Sequence, residues 1–405
     1  MENDAILTKL LKQTRNELYS WATNDLTCQL AKEVMTIGLA KIKLFYQELG
    51  VDSSAIIVFG PDGSVTRNKA RFNEGVGYGC VVATKDFIFP SLLHPNGCGF
   101  GLYKIDNIPS LQQLIRKLNR LKREGVPIGS QQGKWDVWKS NHFIDILKLD
   151  RVSPKYSQFE EWLSQGSYVL IHSSQQTQTE RLNHWNDEEF IRVHTPLGTV
   201  EGLTGESIRE YLKFFQKVEA YSKKKRTSIA TELFGEENVS CISNPTHQGY
   251  YQEDSYYVMR LGLYNSIDPT GEKTIPVFPL AFNGYSFIYL YEGLPNVKRQ
   301  YWTENQYERA KNMGHVDFLK KANLLPHGGG YSLNYPFSTV KSLVFDGVIY
   351  FELFDAAMAK SHLLIKNIEA LEYGYRGPTE ILPLVDQLEF GKRVAQFVPI
   401  TVIKF

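Results

Sequence analysis

Two spacings of hydrophobic residues alternate along the chain and predict helices at its start and short strands through most of the rest. Between residues 5 and 48, leucines and alanines recur three and four positions apart, which is the spacing of one helix face. Beyond residue 50, short apolar runs bounded by turn residues predict strands. The clearest runs are 55–59, 80–84, 87–89, 100–105, 143–149, 167–172, 256–263, 285–291, 348–353 and 398–404. The sequence Gly-Pro-Asp-Gly at 60–63 predicts a turn after the first run.

Two later helices interrupt the strands, and both carry positive charge. Residues 110–124 have an apolar stripe with Arg116, Arg120 and Arg123 on the opposite side. A longer helix is predicted over 207–233, and its run from 223 to 226 includes Lys224 and Arg226. Such charges are typical of a solvated face and also of a phosphate-binding face. The residues alone leave both interpretations open.

The order of elements predicts an α+β fold, a single large domain with mixed β-sheets and peripheral helices. We find no internal repeat, low-complexity tract or long linker in the sequence. We expect residues 1–50 to form a helical N-terminal segment packed on the core, and residues 51–405 to form the main domain. The aromatic content of 13%, with 23 Tyr and 23 Phe, favours a large strand-rich core.

Charge and cysteine content narrow the function classes. Lys and Arg number 45 against 44 Asp and Glu, so a net charge of +1 gives no overall attraction to nucleic acid or membrane. No apolar run reaches the roughly 18 residues that a membrane span needs, and the acidic N-terminus does not resemble a secretory signal. We therefore expect a cytoplasmic protein with no membrane partner. The four cysteines contain no CxxC pair, which excludes a disulfide framework and a local zinc knuckle.

Several of the nine histidines lie in sequence surroundings that favour chemistry. His327 precedes Gly328, Gly329 and Gly330, and three glycines let the main chain present successive N–H groups to an oxyanion. A histidine beside such a loop can attack phosphorus and form a covalent phosphoramidate. Taken singly, each histidine is better explained as a buried core residue, and the glycines also fit a flexible turn.

The order of the short motifs resembles the tRNA-splicing ligase RtcB family from about residue 56 to the C-terminus. NGCG at 96–99 is similar to the family's D-x-x-C-G motif, NHFID at 141–145 to N-H-F-I-E, and LIHS at 170–173 to H-S-G-S-R. THQ at 246–248 falls where H-H-N is expected, and HGGG at 327–330 where H-G-A-G-R is expected. The ending PITVIK at 399–404 matches P-x-x-V-x-K.

The resemblance implies a set of metal ligands and a nucleophile. Cys98, His142, His172 and His247 would hold one or two Mn²⁺ ions per chain, a donor set suited to a borderline divalent metal. His327 would take GMP from GTP as the catalytic nucleophile. The nucleotide-binding residues implied by the motifs are Asn141, Phe143, Asp145, Gly328, Gly329, Gly330 and Lys404.

The implied activity is that of a GTP- and Mn²⁺-dependent RNA ligase in RNA repair or tRNA splicing. It joins an RNA 3′-phosphate or 2′,3′-cyclic phosphate to a 5′-hydroxyl through a histidine-guanylate intermediate. Residues 51–405 would then be the RtcB-like catalytic domain. The basic residues Arg116, Arg120, Arg123, Lys224 and Arg226 become expected RNA contacts. An activating partner of the archease type is a further expectation, because some family members use one.

Departures from the family pattern keep two alternatives open. Pro95 stands where the family has a metal-binding aspartate, so we expect His94 or Asn96 to replace that ligand. Gln175 and Gln176 stand where Ser and Arg are expected, and Tyr331 replaces the arginine after the glycines. A guanidinium binds phosphate through two parallel hydrogen bonds, which Gln and Tyr cannot reproduce. The alternatives are a catalytically altered protein that binds RNA ends or a nucleotide, and a metal-dependent phosphoesterase or nuclease that uses water.

Overall fold

Helices and strands are interspersed along the described part of the chain. The computed structural model describes residues 2–137, 141–159, 162–175, 179–183, 185–265, 277–294, 297–355 and 362–405, so Gln176 lies outside the described residues. Its α-helices are α1 (Glu2–Arg15), α2 (Leu26–Glu48), α3 (Lys69–Asn73), α4 (Pro90–Leu93), α5 (Leu111–Glu124), α6 (Thr179–Asn183), α7 (Gly205–Phe234), α8 (Glu304–Asn312), α9 (Val316–Lys320) and α10 (Pro378–Gln387).

The strands are numbered in chain order in the same way. They are β1 (Tyr19–Ser20), β2 (Ile56–Ser64), β3 (Tyr78–Thr84), β4 (Phe87–Ile88), β5 (Gly99–Ile105), β6 (Val126–Ile128), β7 (Gln131–Gly133), β8 (Phe143–Val152), β9 (Ser167–Ser173), β10 (Ile191–Thr195), β11 (Gly198–Thr204), β12 (Val239–Ser243), β13 (Gln248–Glu253), β14 (Tyr256–Leu261), β15 (Val277–Leu280), β16 (Ile288–Gly293), β17 (Tyr331–Leu333), β18 (Thr339–Phe345), β19 (Val348–Phe354), β20 (His362–Ile365), β21 (Tyr373–Tyr375) and β22 (Gly391–Ile403).

Two large sheets organise these strands. One has seven strands in the order β12-β5-β9-β8-β22-β16-β15, and the other has five in the order β1-β2-β3-β14-β13. The strands of the larger sheet pair antiparallel throughout. Smaller sheets of two or three strands surround them. The predicted α+β class with several sheets is confirmed.

The alternation of side chains along the strands stacks the two large sheets face to face. In β9, Tyr168 and Leu170 join a core cluster with Val81 and Val258 of the five-stranded sheet. Their neighbours Val169 and Ile171 point to the opposite face and pack against α5 and α7. The seven-stranded sheet is therefore covered on one face by the smaller sheet and on the other by helices.

The N-terminal helix α2 covers the outer face of the five-stranded sheet. Met35 and Leu39 share a buried cluster with Ile57 and Val82. Strand β1 pairs with β2, so the first fifty residues also contribute to a sheet. The division of the chain at residue 50 stays a prediction.

Several predicted boundaries differ from the structure, and two of the differences concern turns and strand starts. The turn predicted at 60–63 lies inside β2, where the pairing with β3 jumps from Phe59 opposite Cys80 to Ser64 opposite Tyr78. Residues 60–63 are buried like the rest of the strand. They form an irregularity within it, because other segments of the chain cover them and no solvent-exposed turn is made. The strand predicted from residue 285 begins only at Ile288, and Tyr285 is 93% exposed.

Among the described residues, no helix combines the length and the apolar character that crossing a bilayer demands.

Candidate metal and nucleotide site

Cys98, His142 and His172 meet at one end of three neighbouring strands. Cys98 immediately precedes β5, His142 immediately precedes β8, and His172 lies in β9 between them. The Sγ atom of Cys98 lies 3.0 Å from Nε2 of His172 and 3.4 Å from Nε2 of His142. All three side chains are buried, and their ligand atoms lie within 4.8 Å of one another. Strand register therefore brings together residues that are far apart in the sequence.

The two imidazoles are oriented through their Nδ1 atoms. Nδ1 of His172 lies 2.9 Å from the backbone oxygen of Asn141, and Nδ1 of His142 lies 3.0 Å from Oδ2 of Asp136. With Nδ1 held by an oxygen, Nε2 of each ring is directed to Cys98. Metal-binding histidines in proteins are oriented in this way by a carboxylate or a carbonyl.

Asp136 is a residue that the sequence did not identify. Its carboxylate is fully buried. The carboxylate also accepts hydrogen bonds from the ammonium of Lys225 at 2.7 Å and from the backbone N–H of Ser174 at 3.1 Å. Burial alone would raise the pKa of Asp136, but the positive charges of His142 and Lys225 outweigh burial and lower it. Burial acts to lower the pKa of His142, and the negative charges of Asp136 and Cys98 overcome it and raise that pKa to about 10.

His247 lies beside this group without belonging to it. Its backbone N–H donates to the carbonyl of Cys98 at 2.9 Å, and its ring centroid lies 5.2 Å from that of His172. Both ring nitrogens are buried and have no hydrogen-bond partner among the described residues. Burial, then the positive charge of His327, lowers the pKa of His247 well below its usual value. A buried neutral imidazole with both nitrogens unsatisfied is suited to binding a ligand or a metal.

His327 lies on the other side of His247, with 4.1 Å between the ring centroids. Its Nδ1 donates to the carbonyl oxygen of Gly262 at 2.8 Å and lies 3.3 Å from Oδ2 of Asp62. Asp62 is fully buried within the irregular part of β2, and burial raises its pKa although His327 acts to lower it. Because Nδ1 carries the hydrogen, Nε2 of His327 has the lone pair that a nucleophile needs.

The three glycines after His327 are closely packed. A Cβ at Gly328 would lie 2.0 Å from the carbonyl oxygen of Ala281, and one at Gly329 would lie 2.3 Å from that of Arg376. Gly330 has a positive φ of 67°. Glycine is therefore required by the close approach of other backbone segments, and the interpretation as a loose turn is wrong.

A pocket opens beside His327 and includes most of the predicted nucleotide-binding residues. It is lined by His327, Asn141, Phe143, Gly329, Gly330 and Lys404. The aromatic side chains Phe282 and Tyr375 also line it, together with Tyr331, which stands where the motif has an arginine. Gly328 packs behind the pocket wall against Ala281.

Asp145 lies on β8, two residues after Phe143, and β8 pairs with the C-terminal strand β22. It is 2% exposed, and its Oδ1 atom has no hydrogen-bond partner among the described residues. Burial raises the pKa of Asp145 to about 8, against the opposing effect of the nearby positive charge of Lys404. A buried carboxyl with an unsatisfied oxygen offers an acceptor to a ligand.

The expected replacement ligands occupy other positions. Oδ1 of Asn96 accepts the backbone N–H of Cys98 at 3.0 Å, so it stabilises the turn that presents the cysteine. His94 ends α4 in the left-handed conformation, with a φ of 49°, and lies outside the group of Cys98, His142 and His172.

The basic residues expected to contact RNA divide into two sets. Arg226 is fully buried and donates to Oδ1 of Asn244 at 2.6 Å and to the carbonyl of Ser173 at 3.3 Å, so its predicted RNA contact is wrong. The other four are exposed: Arg116, Arg120, Arg123 and Lys224. Arg120 pairs with Glu232 and Arg123 with Glu124.

No protein-family model matches the chain, and no curated protein sequence matches it significantly. The family resemblance therefore stays a prediction that depends on the motifs and on the site geometry.

Proposed function

We propose that the protein is a metal- and GTP-dependent RNA ligase that joins a 3′-phosphate or 2′,3′-cyclic phosphate end to a 5′-hydroxyl end. The observation that supports it best is the convergence of five distant residues on one buried site. Cys98, His142 and His172 form a sulfur–imidazole group, and His247 connects that group to His327. A surface binding protein has no need of such a buried arrangement.

The side chains at the site fit a divalent metal. One thiol, two oriented imidazoles and a third imidazole with unsatisfied nitrogens form a donor set for Mn²⁺ or a similar cation. Cys98, His142, His172 and His247 would hold it. When bound, such an ion supplies Lewis-acid stabilisation of phosphoryl oxygens.

His327 performs the first covalent step in this proposal. The lone pair of Nε2 attacks the α-phosphorus of GTP, an N–P bond forms, and pyrophosphate leaves with the electrons of the broken P–O bond. The carbonyl of Gly262 accepts the hydrogen bond from Nδ1, and the carboxyl of Asp62 at 3.3 Å would stabilise the positive charge that develops on the ring.

The RNA ends then react in two further displacements. An oxygen of the RNA 3′-phosphate attacks the guanylate phosphorus, and the N–P bond breaks and restores His327. The 5′-hydroxyl oxygen attacks the activated 3′-phosphorus and its proton passes to solvent. GMP leaves with the electrons of the broken P–O bond. A 2′,3′-cyclic phosphate must first be opened by water to a 3′-phosphate.

Recognition of the nucleotide depends on the pocket beside His327. Lys404 lines the pocket and would contact the base. The unsatisfied carboxyl of Asp145, which lies near Lys404 but outside the described pocket lining, would accept hydrogen bonds from the guanine edge. Tyr331 replaces an expected arginine, but the guanidinium of Arg67 lies 5.8 Å from the centroid of its ring. Arg67 therefore places a positive charge next to Tyr331, although Arg67 is not among the described residues that line the pocket.

The direct test is covalent labelling. The protein is incubated with GTP labelled at the α-phosphate and Mn²⁺, and we expect an acid-labile, alkali-stable adduct that is lost in His327→Ala. His194→Ala is the matched control, because His194 is exposed on β10 and should keep full labelling.

The outcomes also separate the alternatives. No adduct, with metal bound and RNA ends shortened, would indicate the phosphoesterase or nuclease. No adduct and no turnover, with RNA or nucleotide still bound, would indicate a binding protein. Persistent labelling in His327→Ala would mean that the nucleophile is misassigned.

A second variant tests the metal ligands. Cys98→Ala should lose Mn²⁺ binding, measured by calorimetry, together with adduct formation. Cys241→Ala, which changes an exposed cysteine, should retain both. Full metal binding in Cys98→Ala would contradict the ligand assignment.

A further inference from the structure

A second and larger cavity runs along α7, on the far side of the His247 loop from the nucleotide pocket. Its volume is about 930 Å³, and its walls are α7, the end of β12, the 244–246 segment and β13. It shares no lining residue with the pocket of His327 in the described part of the chain. We call this cavity the α7 groove.

One face of α7 supplies positive charge to the α7 groove. Arg209, Lys213 and Lys223 all line it, and Arg209 and Lys213 are exposed. Residues four apart on a helix lie above one another, so Arg209 and Lys213 form a basic stripe, in which Arg209 also pairs with Glu206. The acidic residue among the lining residues is Glu219, which is engaged by Lys223 at 3.3 Å and by the hydroxyl of Tyr251 at 3.4 Å.

Aromatic and amide side chains form the rest of the α7 groove. Trp162 lines it and is 38% exposed, and the half-buried Tyr251 and the buried Phe278 also line it. Gln216 and Gln252 add hydrogen-bonding groups. A basic groove with aromatic faces is the combination by which proteins bind single-stranded nucleic acid, because the phosphates meet cations and the bases stack.

The groove ends at the backbone that carries the metal site. The carbonyl of Pro245 accepts the N–H of Phe100 at 3.2 Å, and Thr246 bridges to Gly99. Pro245 and Thr246 line the groove, whereas Phe100 lines the pocket of His327. A strand bound in the groove therefore lies one layer of residues away from the proposed reacting centre.

We propose that the α7 groove binds single-stranded RNA several nucleotides from the reacting end, an inference that rests on the proposed ligase function. Because Arg226 is buried, the proposal replaces it with Arg209 and Lys213 as the expected RNA contacts. Lys224, which lines the adjoining depression next to Lys223, extends the same basic surface.

The test measures binding of a fluorescein-labelled single-stranded RNA of about twelve nucleotides by anisotropy, over a range of salt concentrations. The variant Arg209→Glu with Lys213→Glu should weaken binding roughly tenfold at low salt. It should also reduce the slope of log K against log salt by about 1.4, since each single-strand phosphate contact contributes about 0.7. Trp162→Ala should weaken binding about fivefold through lost stacking.

The matched control is Lys9→Glu with Lys12→Glu on α1, which changes the same charge at two exposed positions. Equal weakening by both charge reversals would show general electrostatic attraction and overturn the proposal. RNA affinity unchanged in the groove variants would assign the charges to another class of partner, such as an acidic protein, and would also overturn it.

The result is distinguishable from failure of the proposed function. RNA binding that depends on the groove, without any guanylate adduct on the wild-type protein, would reject the ligase and leave the groove assignment intact. An adduct on His327, together with RNA binding that is unaffected by substitution of Arg209, Lys213 and Trp162, would support the ligase and reject the groove assignment.

Discussion

Helices α5 and α7 carry comparable positive charge but place it differently. On α5, Arg116, Arg120 and Arg123 are exposed because three leucines of the helix hold the opposite face in the core. On α7, the buried positions recur every three or four residues from Ile208, and this periodicity carries Lys225 and Arg226 into the interior. A basic run is therefore informative about ligands only when its position relative to the apolar stripe is known.

The comparison also separates two uses of charge. The exposed pairs of α5 are screened by water and contribute little to stability. The buried charge of Lys225 must be compensated, and Asp136 compensates it while also orienting His142. Charge inside the molecule thus supports the candidate metal site, whereas exposed charge forms surface ion pairs such as Arg120–Glu232 and Arg123–Glu124.

The substitution with the largest expected effect on stability in this comparison is Asp136→Asn. The change leaves the Lys225 ammonium buried without a counter-ion, which we expect to cost about 3–5 kcal/mol in the free energy of unfolding. Metal affinity should also fall roughly 10- to 100-fold, because His142 loses the carboxylate that orients it. Chemical denaturation and metal titration measure the two effects.

Asp106→Asn is the matched control, since Asp106 is exposed. It should alter the free energy of unfolding by less than about 0.5 kcal/mol. If Asp136→Asn were equally mild, the buried pair would not be a structural element of the site, and the contrast between α5 and α7 would fail.

The next test concerns the buried carboxyl of Asp145 and its effect on the pH dependence of stability. Burial raises the pKa of Asp145 to about 8 from its usual value of 3.8, so the folded protein binds more protons than the unfolded chain between these values. Stability contributed by this group is complete below pH 4 and is lost as pH rises toward 8. The steepest loss is about 1.4 kcal/mol per pH unit.

Asp145→Asn removes the titrating group and should flatten the dependence. The measurement is the free energy of unfolding of both proteins at matched pH values in the presence of a chelator, so that the other ionisable groups cancel in the difference. Curves that stay parallel from pH 4 to pH 8 would show that the Asp145 carboxyl ionises normally in the folded state.

The smallest expected effect is on α5. Arg120→Ala and Arg123→Ala each remove one exposed ion pair and should change the free energy of unfolding by at most about 1 kcal/mol. Thermal and chemical denaturation check this value. A loss above about 2 kcal/mol from either change would show that exposed charge on α5 has a structural role comparable with the buried charge on α7.

Much of the fold was predictable because apolar runs identify strands that are buried on both faces. The segments 143–149 and 167–172 correspond to β8 and β9, the strands that carry the site. The Gly-Pro-Asp-Gly sequence misled because turn residues also occur in strand irregularities, and Asp62 at that place contacts His327. Local sequence does not reveal which segments cover a turn.

The candidate site was predictable only through the order of its motifs. Cys98, His142 and His172 are brought together by strand pairing, a long-range property that spacing along the chain does not encode. Asp136 had no local signal, since a single aspartate in a polar segment is usually exposed. The burial of Lys225 and Arg226 did have one, because extending the helical periodicity from Ile208 places both on the inner face.

The pairing of Phe100 and Phe143 with His172 has a consequence for altering this protein in the laboratory. A one-residue insertion or deletion within β5, β8 or β9 would turn every following side chain to the other surface of the sheet. The thiol and imidazoles would then part even though their identities were unchanged. Libraries that vary chain length should therefore be confined to the connections, while these three strands tolerate only substitutions.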